Sequence, residues 1–335
     1  MSTPYDPKLL SDAIDRFTSC RILVVGDVIL DEYLLGRVDR ISPEAPVPVV
    51  EVVDDDRRLG GAGNVVSNII ALGGQALLFG VIGDDPMGAE VVSKLGQLNS
   101  DAGGIVVEDW RPTTIKTRVW AHSQQVVRVD REKREPVSDA SIEKILATLK
   151  KHLDHCDAIV VVDYGKGVVT QSLMDGLRSL RQNSRIILAV DPTARNVKYY
   201  TDVTLITPNN YEAQQMSGIQ IDDDQSLMRA GTHLLEELGC KVVLITQGDR
   251  GMTLFENDGQ PTHIPTVARK VFDVSGAGDT VIATFTLALA AGLKPGQAAT
   301  LANLAAGIVV GEVGTATVPA AKLKEVLADS KLLQV

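Results

Sequence analysis

The chain has 335 residues, 44% of them hydrophobic and 23% charged, with a formal net charge of −10. That length is enough for a sizeable core, either as one large domain with an appended subdomain or as two domains. The acidic balance argues against a nucleic-acid partner, because polyanions are bound mainly through Lys and Arg. A small anionic substrate needs only a local positive cluster and stays open. The 29 glycines, set against 4% aromatic residues, point to tight backbone turns around a ligand. Cys20, Cys156 and Cys240 lie far apart without CxxC spacing and read as reduced thiols. The first residues carry Asp6, Lys8, Asp12, Asp15 and Arg16, with no apolar run of signal-peptide type. The charge-free apolar stretch at residues 280–293 is shorter than the roughly 20 residues of a membrane span. A cytoplasmic protein without membrane contact is therefore expected.

In chain order, residues 21–26 read as a buried strand ending in a turn. Residues 31–54 are rich in β-branched side chains and lack a helical period. Helices are expected over 64–72 and 89–98, followed by a second β-branched segment at 113–131. A helix over 138–152, a strand at 158–163 and a helix over 170–182 come next. Strands at 186–191 and 203–207, a helix over 227–238, a strand at 241–246 and a helix over 280–291 complete the pattern. Short runs apolar on both faces and alternating with helices indicate a parallel sheet covered on each side. Right-handed crossovers then give a three-layer α/β/α sandwich with a mostly parallel central sheet. Residues 31–54 and 113–131 break the alternation. They are expected to form a small β-sheet lid over the cleft, its outer face suited to a homodimer contact.

Each expected strand ends in polar or glycine residues: Gly26-Asp27, Asp163, Asp191, Thr207-Pro208-Asn209 and Thr246-Gln247-Gly248. Ligands of open α/β sheets bind at the carboxyl ends of the strands, so these residues should line one cleft. Any one of them alone could be a turn former.

Four segments carry the chemistry. In Asp273-Val-Ser-Gly-Ala-Gly-Asp-Thr280, the small residues Gly276, Ala277 and Gly278 leave helix-start N–H groups open as an anion site. Asp279 beside that anion suits a base that takes a proton from an incoming hydroxyl, although an Asp cap on a Gly-rich turn fits the same octapeptide. In Leu59-Gly-Gly-Ala-Gly-Asn64, Gly60, Gly61 and Gly63 let a polyhydroxy ligand reach the main chain, and Asn64 offers a donor and an acceptor. Neither Gly-rich segment has the third glycine of a dinucleotide fingerprint, and no GxxxxGK[ST] occurs. In Thr207-Pro-Asn-Asn-Tyr-Glu212, Asn209 and Glu212 are hard oxygen ligands suited to Mg²⁺ through water, or equally a helix cap with Glu at its third position. The turn Thr246-Gln-Gly-Asp-Arg-Gly251 could meet a nucleotide or simply close a hairpin.

Taken together and in this order, the segments resemble the ribokinase-like, or PfkB, carbohydrate kinase family over essentially the whole chain. Residues 60–83 match its N-terminal signature and residues 273–285 its C-terminal one. The resemblance implies ATP-dependent phosphorylation of a sugar hydroxyl with Mg²⁺. It assigns Asp279 as the base and Gly276, Ala277 and Gly278 as the anion hole. Asn209 and Glu212 organise magnesium, Thr246 and Gly248 form the nucleotide turn with Asn303 as a further nucleotide contact, and Asp31, Gly60, Gly61 and Asn64 meet the sugar. Asp273 and Ser275 match positions that hold a monovalent cation such as K⁺ in some members. Segments 31–36, 40–49, 114–118 and 163–167 are similar to the D-glycero-β-D-manno-heptose-7-phosphate kinases of lipopolysaccharide core biosynthesis, some of which carry a fused nucleotidyltransferase domain. The chain resembles the stand-alone kinase. A phosphorylated substrate calls for positive side chains at the far end of the cleft, for which Lys116, Arg118, Arg128 and Lys166 are candidates. Asp191-Pro-Thr-Ala-Arg195 departs from the Asp-Pro-Lys of relatives.

Overall fold

A computed structural model describes residues 6–122, 124–181, 185–257, 259–268, 271–312 and 314–329. The elements in order are α1 (Pro7–Arg16), β1 (Arg21–Gly26), β2 (Val28–Ile41), β3 (Pro48–Gly61), α2 (Ala62–Ala71), β4 (Gln75–Gly83), α3 (Pro86–Gln97), β5 (Ile105–Glu108), β6 (Thr114–Ala121) and β7 (Gln124–Arg131). There follow α4 (Asp139–Lys150), β8 (Ala158–Val162), α5 (Gln171–Arg181), β9 (Ile187–Asp191), β10 (Leu205–Ile206), α6 (Asn210–Ser217), α7 (Asp224–Leu238), β11 (Val242–Thr246), β12 (Met252–Glu256), β13 (Thr262–Ile264), α8 (Ala277–Ala290), α9 (Pro295–Val309) and α10 (Ala320–Ala328).

Nine strands form the central sheet in the order β13-β12-β11-β10-β9-β8-β1-β4-β5. It is parallel from β5 to β11, while β12 and β13 run antiparallel at one edge. Alternate side chains of the inner strands feed two separate cores. Ile22 and Val24 of β1 join the layer packed by α1, α2, α8 and α9, whereas Leu23 and Val25 join that of α4, α5 and α7. Strands with both faces buried need apolar residues at every position, which is why these runs show no alternation. α8 is buried from Asp279 through Ala288, so the apolar stretch at 280–293 is an interior helix. The α/β/α sandwich is as expected, and no described helix is long and apolar enough to cross a membrane.

Some boundaries differ. The strand expected over 203–207 shrinks to Leu205–Ile206, because the Thr204 hydroxyl takes up the Leu188 N–H at 3.0 Å and an Arg181 donor at 2.8 Å. The helix expected over 170–182 is α5, and Gln182 lies outside the described residues. Four strands of the central sheet were not anticipated as elements, β4, β5, β12 and β13. Four helices, α1, α6, α9 and α10, were likewise outside the expected set, α6 entering only as the helix-cap alternative at Asn209 and Glu212.

The second sheet, in the order β3-β2-β6-β7, is built from residues 28–61 and 114–131. Its first part begins nearer the central sheet than the expected 31–54, since β2 and β3 run as 14-residue strands back to Gly61 at the start of α2. Register places Asp31 opposite Lys116 and Arg58, and Tyr33 opposite Arg118. Side chains two apart share a face, so Asp31, Tyr33, Lys116 and Arg118 lie on one side of this lid.

Candidate active site

β1, β8, β9, β10 and β11 are neighbours and run parallel, so their ends converge on one edge, next to the starts of α2 and α8. α3, α4, α6 and α7 begin with a side chain bonded to a first-turn N–H. α2 and α8 begin instead on glycines, Gly61 at φ 53° and Gly276 at φ 79°, with no side-chain cap. The first N–H of each donates to a main-chain carbonyl, Ala62 to Asp27 at 3.0 Å and Ala277 to Val274 at 3.2 Å. The N–H groups that follow carry no side-chain cap and face outward at the positive end of the helix dipole, where an anion binds. A Cβ on Gly278 would meet nothing within 4 Å, so the entrance of α8 is open to a ligand.

Asp279 sits in the first turn of α8 and is 1% exposed. Its Oδ2 accepts from Asn64 Nδ2 at 2.7 Å and its Oδ1 from the Tyr164 hydroxyl at 3.0 Å. Burial pushes its carboxyl up to about 7, opposed by these two donors and by Lys116, and aided by Asp31. A carboxylate held in place and poised near neutrality suits a general base. Asn64 was expected at the sugar; the structure spends one of its N–H groups on Asp279. Asn68 supports it, donating to the Asn64 carbonyl at 3.0 Å and to Asn64 Oδ1 at 3.2 Å, while the Thr280 hydroxyl donates to Asn68 Oδ1 at 3.1 Å. This buried polar chain locks α2 to α8.

The lid brings Asp31 into the same space. Asp31 is buried and accepts from Arg118 Nη1 at 2.6 Å. Gly60 makes room for it, since a Cβ there would lie 2.2 Å from Asp31 Oδ2. Of the four basic candidates, Arg118 is thus paired with Asp31, Arg128 with Asp130 at 2.9 Å and Lys166 with Glu132 at 2.5 Å. Lys116 forms no ion pair among the described residues. Its Nζ lies 4.6 Å from the Tyr164 ring centroid, and burial lowers its pKa.

A cleft of about 470 Å³ opens at the start of α8, lined by Thr246, Gly248, Val271, Ala277, Gly278 and Asn303 among others. Its largely apolar walls suit a flat base, and it reaches the uncapped amides at the end where phosphates would lie. Asn303 Nδ2 donates to the Pro265 carbonyl at 2.7 Å. Thr246, Gly248 and Gly251 form a hairpin turn between β11 and β12, as one of the two sequence readings had it. Thr246 bridges to Asn209, its N–H donating to the Pro208 carbonyl at 3.0 Å.

Asn209 caps α6. Its Oδ1 accepts from the Glu212 N–H at 2.9 Å, and Glu212 Oε2 accepts from the Asn209 N–H at 2.9 Å. The helix-cap reading is realised, and it leaves Glu212 Oε1 outside the cap. Burial raises the pKa of Glu212; burial, then Glu212 and Asp279, raise that of Asp191 well above its ordinary value. Asp191 accepts one hydroxyl, from Thr207 at 3.1 Å. These carboxylates have no ion pair among the described residues, so the pocket is short of positive charge. No described group of three or more His, Cys, Asp or Glu residues forms a cage for a metal. That donor set fits Mg²⁺, which keeps several waters and binds through one or two carboxylates plus phosphates. Asp273 differs: Oδ1 accepts from the Ser275 N–H at 2.9 Å and Oδ2 from the Gly314 N–H at 3.0 Å. Its carboxylate serves as a clamp on the loop before α8.

Sequence reasoning passed over two side chains. Tyr164 lies inside the segment Asp163–Gly167 noted for its resemblance, where only Lys166 was given a role. Asp27 was noted as a strand end; buried at 1%, it accepts from the N–H groups of Tyr164, Lys166 and Val168 at 2.8, 2.9 and 3.1 Å. It therefore holds the loop that carries both Tyr164 and Lys166.

Comparison with known proteins agrees with this geometry. Residues 20–322 match the family described as pfkB family carbohydrate kinase. The bifunctional protein HldE of Desulfatibacillum aliphaticivorans is 47% identical over 319 residues, covering 95% of this chain and 65% of that protein. HldE of Geobacter sulfurreducens is 45% identical over 301 residues, covering 90% and 61%. The chain thus spans about 65% of the length of the first curated relatives it matches. Among solved structures, Escherichia coli phosphofructokinase-2 in complex with substrates and products superposes with a TM-score of 0.76 at 17% identity, covering 93% of this chain and 99% of that one. Arabidopsis thaliana ribokinase complexed with ribose and ATP gives 0.70 at 19% identity, covering 94% and 99%. At such identities these two show a shared fold alone. The family match and the identity to HldE proteins carry the assignment: this chain belongs to the pfkB family of carbohydrate kinases, enzymes that phosphorylate sugars at the expense of ATP.

Proposed function

We propose that the chain transfers the γ-phosphoryl group of ATP to the anomeric hydroxyl of D-glycero-β-D-manno-heptose 7-phosphate, giving the 1,7-bisphosphate, a step toward ADP-heptose for lipopolysaccharide core. The observation that carries the transfer is the buried Asp279 carboxylate, fixed by two donors beside an uncapped helix entrance. Asp279 accepts the proton of the attacking hydroxyl, and the uncapped entrance of α8 at Gly276, Ala277 and Gly278 stabilises charge spreading onto the phosphoryl oxygens. Asn209 and Glu212 would hold Mg²⁺ through water, and the ion would neutralise phosphate charge there. Asp31 accepts from a sugar hydroxyl on the lid side, and lid closure keeps out water that would compete as acceptor.

Heptose 7-phosphate is favoured by the lid segments and by Lys116, whose desolvated ammonium, in no ion pair among the described residues, is the best placed of the four basic candidates to meet the substrate phosphate. The relatives are bifunctional and longer, so only the kinase step is assigned to these residues. The lid leaves Val52, Val53, Val127 and Val129 about half exposed, which supports a homodimer through the lid; light scattering tests it. A monovalent cation at Asp273 and Ser275 rests on the resemblance alone, and the K⁺ dependence of turnover tests that.

The deciding experiment for the substrate is coupled ADP detection with heptose 7-phosphate beside ribose, fructose 6-phosphate and adenosine, with the product position read by NMR. Preferential phosphorylation of another acceptor would replace heptose while leaving the kinase intact. Sugar binding with no ADP release from any acceptor would point instead to a non-catalytic binding protein.

A further inference from the structure

Tyr164 is held by its backbone and used at two ends. Its N–H donates to Asp27 Oδ2 at 2.8 Å, and the same buried carboxylate takes the N–H groups of Lys166 and Val168. Three main-chain bonds to one buried acceptor fix the loop, and with it the direction of the tyrosine side chain. The hydroxyl then donates to Asp279 Oδ1 at 3.0 Å. The ring face meets Lys116, which arrives from the lid with its Nζ 4.6 Å from the centroid.

A buried ammonium and a buried carboxylate in one pocket attract strongly, and nothing in the chemistry of either keeps them apart. Direct pairing would depress the proton affinity of the carboxylate and use up the charge of the lysine. A neutral aromatic ring satisfies the cation through its face, while the phenol satisfies the anion through its edge. The other groups facing Asp279 are Asn64 from α2, Asp31 from β2 and Asp191 from the end of β9. Lys116 itself faces Asp31 from β2, Arg118 on its own strand, Arg128 from β7 and Lys166.

We propose that Tyr164 is a positioning residue for phosphoryl transfer: its hydroxyl orients the Asp279 carboxylate, and its ring keeps the Lys116 ammonium from pairing with that carboxylate. The inference rests on Asp279 being the base. It also assigns Lys116 a second task, to stay charged and available for the substrate phosphate.

The test is the pH dependence of kcat/KM with ATP and the best acceptor of the parent enzyme, for Tyr164→Phe, Tyr164→Ala and Tyr164→Ala/Lys116→Met. The phosphate of the acceptor titrates identically in all of them, so differences belong to the protein. Tyr164→Phe removes one donor to the carboxylate, and its acidic limb should move up by about one pH unit, the size expected for one hydrogen bond to an ionised acceptor. Tyr164→Ala frees Lys116 to pair with Asp279, and its acidic limb should move down while turnover falls at least about tenfold. Adding Lys116→Met should move the limb of the alanine variant back up. Opposite shifts from two substitutions at one residue are not produced by a merely structural role. Limbs that stay put, or that move the same way in both single variants, would overturn the proposal. Nucleotide binding by calorimetry checks that each variant folds. Near-parental turnover of Asp279→Asn would instead overturn the base assignment, so the two failures are separable.

Discussion

The Thr315 N–H donates to the Tyr33 hydroxyl at 3.0 Å, tying the lid to the segment between α9 and α10 that packs against Gly276 at the start of α8. Arg58, also from the lid, donates to the Thr315 carbonyl at 3.2 Å, so both main-chain groups of Thr315 are gripped from above. Arg58 and Arg118 flank the Tyr33 ring at 5.4 and 5.3 Å. Beside Thr315, Gly314 donates to Asp273, whose other oxygen holds Ser275, one residue before the Gly276 cap. The lid and the entrance of α8 are therefore mechanically continuous.

Tyr33→Phe leaves the buried Thr315 N–H without an acceptor, at a cost of about 1–3 kcal/mol. The loop should shift to recover it, loosening Gly276. We expect kcat to fall roughly 5- to 160-fold, the ratio such energies correspond to at about 1.4 kcal/mol per tenfold, with fold and lid intact by circular dichroism. Unchanged steady-state kinetics in a folded Tyr33→Phe enzyme would show that the tie does not reach the phosphate site.

Asp279→Asn should cut kcat by at least about 10²-fold while nucleotide binding survives. The same variant should be more stable at alkaline pH. The carboxyl titrates at about 7 when folded against an ordinary 3.8, so between those values the folded chain holds a proton that the unfolded chain has lost. Stability is then lost as pH rises from about 4 to 7, by an upper bound of roughly 4 kcal/mol. Asparagine has no such proton. Its melting temperature should exceed that of the parent most at pH 8, with the gain shrinking toward pH 4. A constant difference across that range would contradict the burial argument.

The strands of the central sheet were legible because residues buried on both faces must be apolar throughout, as in Ile22 to Val25. β4 was less so. Gly80 interrupts its apolar run, and the structure shows why glycine stands there: a Cβ would lie 2.7 Å from the Gly26 carbonyl oxygen. The uncapped start of α8 with Asp279 in its first turn was legible because small residues before a helix have a local consequence, the missing cap. The contacts of Asn64 and Tyr164 with Asp279 were not, because they join residues 215 and 115 positions apart and only the assembled sheet edge makes them neighbours. The same limit applies to Arg118, whose partner Asp31 lies 87 residues away.

Gly60 offers a clean separation of sugar from nucleotide. A methyl group at this position would fall 2.2 Å from Asp31 Oδ2 and 3.3 Å from an Ile29 methyl. The carboxylate must turn away, and it would carry Arg118 with it. Gly60→Ala should therefore raise the KM for sugar at least about tenfold, the cost of losing one charge-assisted hydrogen bond. The KM for ATP should stay within about twofold, because the nucleotide cleft does not touch Gly60. Parallel losses of both affinities would mean that the substitution disturbs α2 as a whole.

Glu212 has two jobs that one substitution can split. Its Oε2 closes the cap of α6 by accepting the Asn209 N–H, and a glutamine amide oxygen can still do so. Its charge, by contrast, is what would draw Mg²⁺ toward a pocket where Asp191 already lacks a cationic partner among the described residues. Glu212→Gln should accordingly melt within about 1 °C of the parent, the shift that a few tenths of a kcal/mol produces, yet need at least about tenfold more Mg²⁺ for half-maximal activity. Asn209→Ala should do the reverse first: losing the cap costs about 1 kcal/mol, whatever happens to the metal. Because burial raises the pKa of Glu212, the parent should also need more Mg²⁺ as pH falls and the carboxylate takes up a proton. That pH dependence should flatten in Glu212→Gln. A Mg²⁺ titration that looks the same in parent and variant at every pH would move the ion away from Glu212.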